Sequence, residues 1–308
     1  MSKYLRIVSW PIIALLSWFF GVEYNLNHDL ELSWVNAIYT QKNDSLEQEQ
    51  RFNRVLLFGG SGTHMGFDAY AVEKEINRPV YNFGLHAGLG LNGILSNMHD
   101  QVMPGDLIIL VPEFDLLGQE NTTGRLAVAL SMLTGNLEYL ELPAQEISQE
   151  FLELGTPTLR TLAGDLLSHF LDRELINYYS EEVDLRGSPI ELKLDTKDLK
   201  PGEVSELLPN KVLRQIKQAR DSVEAKGGQF AIAISWMYYD GNQKSKRAAE
   251  KIVQELEEIA PVLHNEDFNL QTDRALYGDT VFHMSYKGRR QRSQELAKQI
   301  KVLLAARN

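Results

Sequence analysis

Three short, mainly apolar runs, each bounded by glycine or proline, constrain this chain more than any other feature. Val55-Leu56-Leu57-Phe58 ends in Gly59-Gly60, Val80-Tyr81-Asn82-Phe83 follows Pro79 and enters Gly84, and Leu107 to Val111 is aliphatic throughout after the turn Pro104-Gly105-Asp106. Runs that are continuously apolar rather than alternating belong to strands covered on both faces, the condition of a parallel sheet. Helical patterning over Met65 to Ile76 and Leu91 to Val102 separates them, and the alternation resumes late. There, helices are expected over Lys211 to Lys226, Ser245 to Ile259 and Gly288 to Ala306, with a strand over Gln229 to Ser235. The pattern predicts an α/β domain over 54–308, a parallel sheet flanked by helices on both faces. Between Leu116 and Pro209 the alternation is lost. Leu126 to Leu133 and Leu159 to Ile176 read as helical and Ile190 to Leu194 as an extra strand, which predicts a mostly helical insertion over about 116–209 that caps or flanks a site.

The N-terminus is of another kind. Ile7 to Val22 carries no charge, Lys3 and Arg6 precede it, and Glu23, Asp29 and Glu31 follow. The run is at the short edge of what spans a bilayer. Trp10, Trp18 and Tyr24 suit its interfaces, and the charge asymmetry places the N-terminus inside and the bulk of the chain outside. Residues 1–24 are therefore expected to form an uncleaved single-pass transmembrane anchor, against the alternatives of a cleaved signal peptide or a buried core helix. Residues 25–53, polar and rich in charge and amide from Gln41 to Gln50, are expected to form a stalk or a solvated helix.

Composition removes several function classes. The net charge of −11 over 308 residues argues against nucleic-acid binding, which needs a basic footprint. The absence of cysteine excludes disulfides, thiolate metal sites and cysteine nucleophiles. No His/Asp/Glu spacing suggests a metal site, and no cofactor is expected.

The chemistry concentrates at two places. Ser61 lies in Phe58-Gly59-Gly60-Ser61-Gly62-Thr63-His64, after the first expected strand and before the first helix, where parallel sheets bind ligands. Backbone N–H groups beside it are suited to stabilising an oxyanion. Near the other end, Asp279 and His283 sit on a loop before the last helix. A serine hydroxyl needs a base to become nucleophilic near neutral pH, histidine suits that role, and a carboxylate fixes its tautomer. His64 and His86 both fall in loops at strand ends, and either is placed to line a pocket. Gly88-Leu89-Gly90-Leu91-Asn92-Gly93 is a formal GxGxxG with Glu113 20 residues beyond. It begins five residues past the strand end at Phe83, where a dinucleotide loop turns at once, so nucleotide binding is a minor reading.

Gly-Gly-Ser after the first strand, a glycine-bearing loop after the second and Asp-x-x-x-His before the final helix resemble the SGNH/GDSL hydrolase superfamily. The resemblance is strongest to its membrane-tethered branch, found with cell-envelope and exopolysaccharide assembly. It covers roughly Val55 to Val111 and Gln229 to Ala306, and Asp279, Phe282, His283 and Gly288 match the spaced tail motif. It implies an SGNH/flavodoxin-like three-layer fold, with Ser61 as nucleophile, His283 as base and Asp279 as orienting acid. The N–H groups of Ser61 and of Gly84 or Gly88 would be oxyanion donors. Gly62, His64 and Glu113 complete the candidate oxyanion and substrate-binding set. Three features depart from the family pattern. The first block reads Gly-Gly-Ser rather than Gly-Asp-Ser. Asp279 and His283 are four apart rather than three. The third strand leads into Val111-Pro112-Glu113-Phe114-Asp115 where the family carries an asparagine. The implied function is a membrane-anchored serine esterase or O-acyltransferase acting on ester-linked acyl groups, acetyl foremost, of an envelope or secreted polysaccharide. The alternative is a non-catalytic assembly factor that partners a membrane-bound O-acyltransferase.

Overall fold

The computed structural model describes residues 3–49, 52–99, 101–135, 152–156, 182–192 and 199–306. Five parallel strands form the main sheet: β1 (Val55–Gly59), β2 (Val80–Gly84), β3 (Leu107–Val111), β4 (Gln229–Ala233) and β6 (Val262–Leu263), in the spatial order β2-β1-β3-β4-β6. A second sheet pairs two short strands, β5 (Met237–Tyr238) and β7 (Leu270–Gln271). In the main sheet the strand order reverses at β1, with β2 on one side and β3 on the other. Doubly wound sheets bind ligands at such a switch point, beyond the carboxyl ends of the strands.

The runs form strands because both of their faces find cover. The pleat sends Leu56 and Phe58 to one side with Tyr81, Phe83, Ile108, Leu110, Phe230 and Ile232, all buried in the larger core. Val55, Leu57, Val80, Leu107, Ile109, Val111, Ala231 and Ala233 face the other side and share the second core. The first core is closed by α2 (Leu30–Glu49), α5 (Gly90–His99), α7 (Arg125–Thr134), α8 (Asn210–Ala225) and α9 (Gln243–Glu257). The second is closed by α4 (Ala69–Ile76) and α10 (Tyr286–Ala305), through Ala69, Val72, Leu296, Ala297 and Ile300. The expected helix over Met65 to Ile76 is two helices, α3 (Ser61–Gly66) and α4. The chain turns extended at Phe67 and Asp68, and Asp68 caps α4 by accepting the Ala71 N–H.

One expectation for the N-terminal region changes. Residues 25–53 do not form a stalk: α2 lies on the sheet with Leu32, Trp34, Val35 and Ile38 buried in the larger core. Most of its polar residues face away from the sheet, with Lys42 an exception on the buried side. Residues 1–24 fall largely within α1 (Lys3–His28), and no helix among the described residues is long and apolar enough to cross a membrane. Trp10, Ile12, Ile13, Leu15, Leu16, Phe19 and Phe20 are exposed. The helix meets the domain through Trp18, which packs against the larger core, and Val22, which is buried in it, and the Asn25 side chain donates to the Leu154 carbonyl (2.6 Å). Within the expected insertion, Arg125–Thr134 is helical as read, whereas Leu159 to Ile176 lies outside the described residues. No strand forms at Ile190 to Leu192, residues 193–194 lie outside the described residues, and the described chain beside it makes the isolated bridge Val183 to Pro189.

Candidate active site

Strand register builds the site. Gly59 on β1 stands beside Val111 on β3. Gly60, Ser61 and Gly62 therefore leave the sheet at the same level as Pro112 and Glu113. Ser61 becomes the first residue of α3, and Thr63, two residues on, ties that helix back to β3 by donating its hydroxyl to the Val111 carbonyl (2.9 Å). The third contributor arrives from the far end of the chain. Tyr277 and Met284 form an antiparallel bridge, Gly278 N–H donates to the His283 carbonyl (2.8 Å), and Ser285 N–H donates to the Leu276 carbonyl (2.9 Å). The Thr280 hydroxyl accepts the His283 N–H (3.0 Å) inside this small loop. Gly288, in the first turn of α10, lets the helix approach, since a Cβ there would lie 2.0 Å from the Leu276 carbonyl oxygen.

This folding of the loop sets Asp279 against His283, with Asp279 Oδ1 3.0 Å from His283 Nδ1. His283 is buried, and the carboxylate selects the tautomer with the proton on Nδ1, leaving Nε2 as the basic nitrogen. Ser61 and His283 line one cavity of about 540 Å³, together with His86, Gly88, Glu113 and Asp115 among others. The two ends of the sequence thus converge at the carboxyl edge of the sheet, where the chemistry-bearing residues were expected.

The donor assignments fare differently. Gly84 is not an oxyanion donor: it ends β2 beside Gly59, its N–H donates to Asn82 Oδ1 (2.9 Å), and it is absent from the cavity wall. Gly88 lines the cavity, but its N–H donates to His86 Nδ1 (2.9 Å). Gly62 directs its N–H to Glu113 Oε1 (2.6 Å). His64 does not line the cavity either. It is fully buried beneath the site, with Nδ1 3.0 Å from the Lys42 amine and Nε2 without a hydrogen-bond partner among the described residues. Burial, and then the adjacent Lys42, push the His64 imidazole well below its usual range, so it stays neutral.

Glu113 is the unusual wall residue. Burial pushes its carboxyl up to about 7, against the opposing pull of the Gly62 N–H and His283, and with Asp115 reinforcing the rise. Asp115 is itself raised by burial.

Two buried polar residues escaped the sequence reading. Asn82 lies in the middle of β2, and its amide donates to the carbonyls of Thr63, His64 and Phe67, pinning α3 under the site. Lys42 comes from α2 and donates to the Gly84 carbonyl besides meeting His64. Its ammonium is pushed well below the usual lysine range by burial, which Asp184 only partly offsets. The signal for Lys42 was its place in the stripe Val35, Ile38, Lys42, Leu46, a basic residue on an otherwise apolar helix face.

The formal GxGxxG is explained by packing. Gly90 adopts a φ of +67°, and a Cβ there would lie 2.5 Å from the Thr122 carbonyl oxygen, while Gly93 abuts Ala127 on α7. Its glycines serve the contact between α5 and the chain entering α7. No protein-family profile matches the chain, and no curated protein sequence does.

Proposed function

We propose that the chain is a serine acyl-transfer enzyme of the extracytoplasmic face, held to the membrane by its N-terminal helix. Its substrates are ester-linked acyl groups, acetyl foremost, on an envelope or secreted polysaccharide. One observation carries the reading: His283, with Asp279 3.0 Å behind it, shares with Ser61 a single cavity at the switch point of the sheet. In that arrangement His283 takes the Ser61 proton as the hydroxyl attacks an acyl carbonyl, and Asp279 holds the resulting imidazolium. The acyl group then passes to a sugar hydroxyl or to water. The exposed apolar side chains of α1 from Trp10 to Phe20, in a segment without charge, support the anchor.

A second reading has its own support. The N–H groups of Gly62, Gly84 and Gly88 are all engaged within the protein, and Glu113 stands where the family carries an asparagine. Both features suit a non-catalytic assembly factor that partners a membrane-bound O-acyltransferase. A fluorophosphonate probe separates the two, because it labels only an activated serine. The enzyme reading expects labelling of the wild type, loss of labelling by several orders of magnitude in Ser61→Ala, and a comparable loss in His283→Ala, since nucleophile and base act as a unit. The melting temperature should barely move in Ser61→Ala, since such a change costs at most about 1 kcal/mol. Wild-type protein that refuses the probe, with a Ser61→Ala variant that still supports polysaccharide acylation in cells, would favour the assembly factor.

A further inference from the structure

We infer that Glu113 is a further catalytic residue, a neutral carboxyl that accepts the Gly62 N–H on one oxygen and donates a hydrogen bond from the other to the oxyanion formed on Ser61. The inference rests on the acyl-transfer reading and assigns a second oxyanion-stabilising group beside the Ser61 N–H, now that the N–H groups of Gly62, Gly84 and Gly88 are engaged elsewhere.

The placement follows from the fold. Glu113 is two residues beyond the rung that pairs Gly59 with Val111, so its side chain turns back over the Gly60-Ser61-Gly62 peptides. Oε1 accepts the Gly62 N–H at 2.6 Å. A Cβ at Gly60 would lie 2.6 Å from Oε2, and one at Gly62 would lie 2.7 Å from Oε1. Glycine on both sides of Ser61 is therefore the space that the Glu113 carboxyl occupies. The residue is 2% exposed, yet it lines the cavity that Ser61 and His283 share. No Lys or Arg pairs with it among the described residues. The ionisable groups that face it are Asp115 from α6 (Phe114–Leu117), which opposes its charge, and His283 from the loop before α10, which favours it.

A carboxylate at this position would oppose a second negative charge forming beside it. A protonated carboxyl does the reverse, and a desolvated site is what keeps an acid neutral near pH 7 so that it can donate. The burial that lifts Glu113 to about 7 has that effect. In the step itself the Ser61 Oγ–carbonyl bond forms and the carbonyl π pair moves onto oxygen. The Ser61 proton goes to His283 Nε2, while the Glu113 proton stays on Glu113 and is shared with the oxyanion. Collapse then returns the electron pair, breaks the bond to the leaving alcohol and hands that alcohol the proton from His283.

The test is the pH profile of fluorophosphonate labelling and of short acyl ester turnover, between about pH 5 and 9, for the wild type, Glu113→Gln and Glu113→Ala. The wild-type rate should fall as pH rises through about 7, as Glu113 ionises. Glutamine keeps an oxygen for the Gly62 N–H and puts an amide donor at the other position, so that alkaline fall should vanish in Glu113→Gln. Glu113→Ala should be slower by about 10²- to 10³-fold below pH 7, the usual loss for one oxyanion donor. Labelling of the wild type with no alkaline fall, or a Glu113→Gln profile that keeps it, overturns the assignment and leaves the acyl-transfer reading standing. Glu113→Gln as slow as Glu113→Ala also overturns it. Wild-type protein that labels at no pH overturns both.

Discussion

Replacing Glu113 by glutamine should change the pH dependence of folding by an amount that the structure sets. Glu113 ionises near pH 7 in the folded protein, against its ordinary 4.5, because burial penalises the charge. The folded state therefore binds more protons than the unfolded state between those two values. Stability that is complete below about pH 4.5 is lost as pH rises through about 7 and is constant above. At about 1.36 kcal/mol per pH unit, the gap amounts to about 3 kcal/mol. Glutamine has nothing to ionise, fills the same space and keeps an acceptor for the Gly62 N–H. The difference in unfolding free energy between Glu113→Gln and wild type should shift in favour of the variant by about 3 kcal/mol between pH 4.5 and pH 8. Asp115, itself raised by burial, is coupled to Glu113, so Asp115→Asn in both backgrounds isolates the Glu113 contribution. Urea unfolding at a series of pH values measures the shift. A difference that is the same at every pH would refute the claim that this carboxyl is held neutral, whatever the catalytic result.

Gly288→Ala should push the Leu276 carbonyl away, cost about 1 to 3 kcal/mol and slow probe labelling, because Leu276 anchors the loop that carries Asp279 and His283; wild-type labelling would contradict this. Asp106→Ala should cost about 3 to 5 kcal/mol in denaturant unfolding, since it leaves the buried Arg54 guanidinium without the carboxylate that faces it; a loss below about 1 kcal/mol would show that the pair is dispensable.

The sequence revealed the parts of this fold that depend on local hydrophobicity. β1, β2 and β3 were readable because both faces of each are covered, so burial leaves few polar residues in the run. β5, β6 and β7 were not, since two residues carry no pattern. The helix α2 was hidden by its own surface: its buried stripe is narrow, contains Lys42, and is outnumbered by polar neighbours. Ser61, Asp279 and His283 were identifiable because loops at strand ends and helix starts are where side chains reach a crevice. The oxyanion donors were not, because they depend on who captures each backbone N–H. Asn82 takes that of Gly84, His86 that of Gly88 and Glu113 that of Gly62. The last capture follows from the rung between β1 and β3, a pairing across some fifty residues that no local pattern encodes.

The seating of α2 also bears on how far the cavity can travel. A polar leash would let a domain roam through a volume set by its contour length. Here α2 packs against the sheet between α1 and β1: Trp34, Val35 and Ile38 are part of the core, and Lys42 supports the floor under Ser61 through His64 and Gly84. Cutting the chain before Arg54 would not release a working domain but remove one of its walls. If α1 is held in a bilayer, the opening that Ser61 and His283 share stands at a fixed height above the lipid. On the proposed acyl-transfer reading, the acceptor would have to reach the opening at that height rather than be met by a roaming domain.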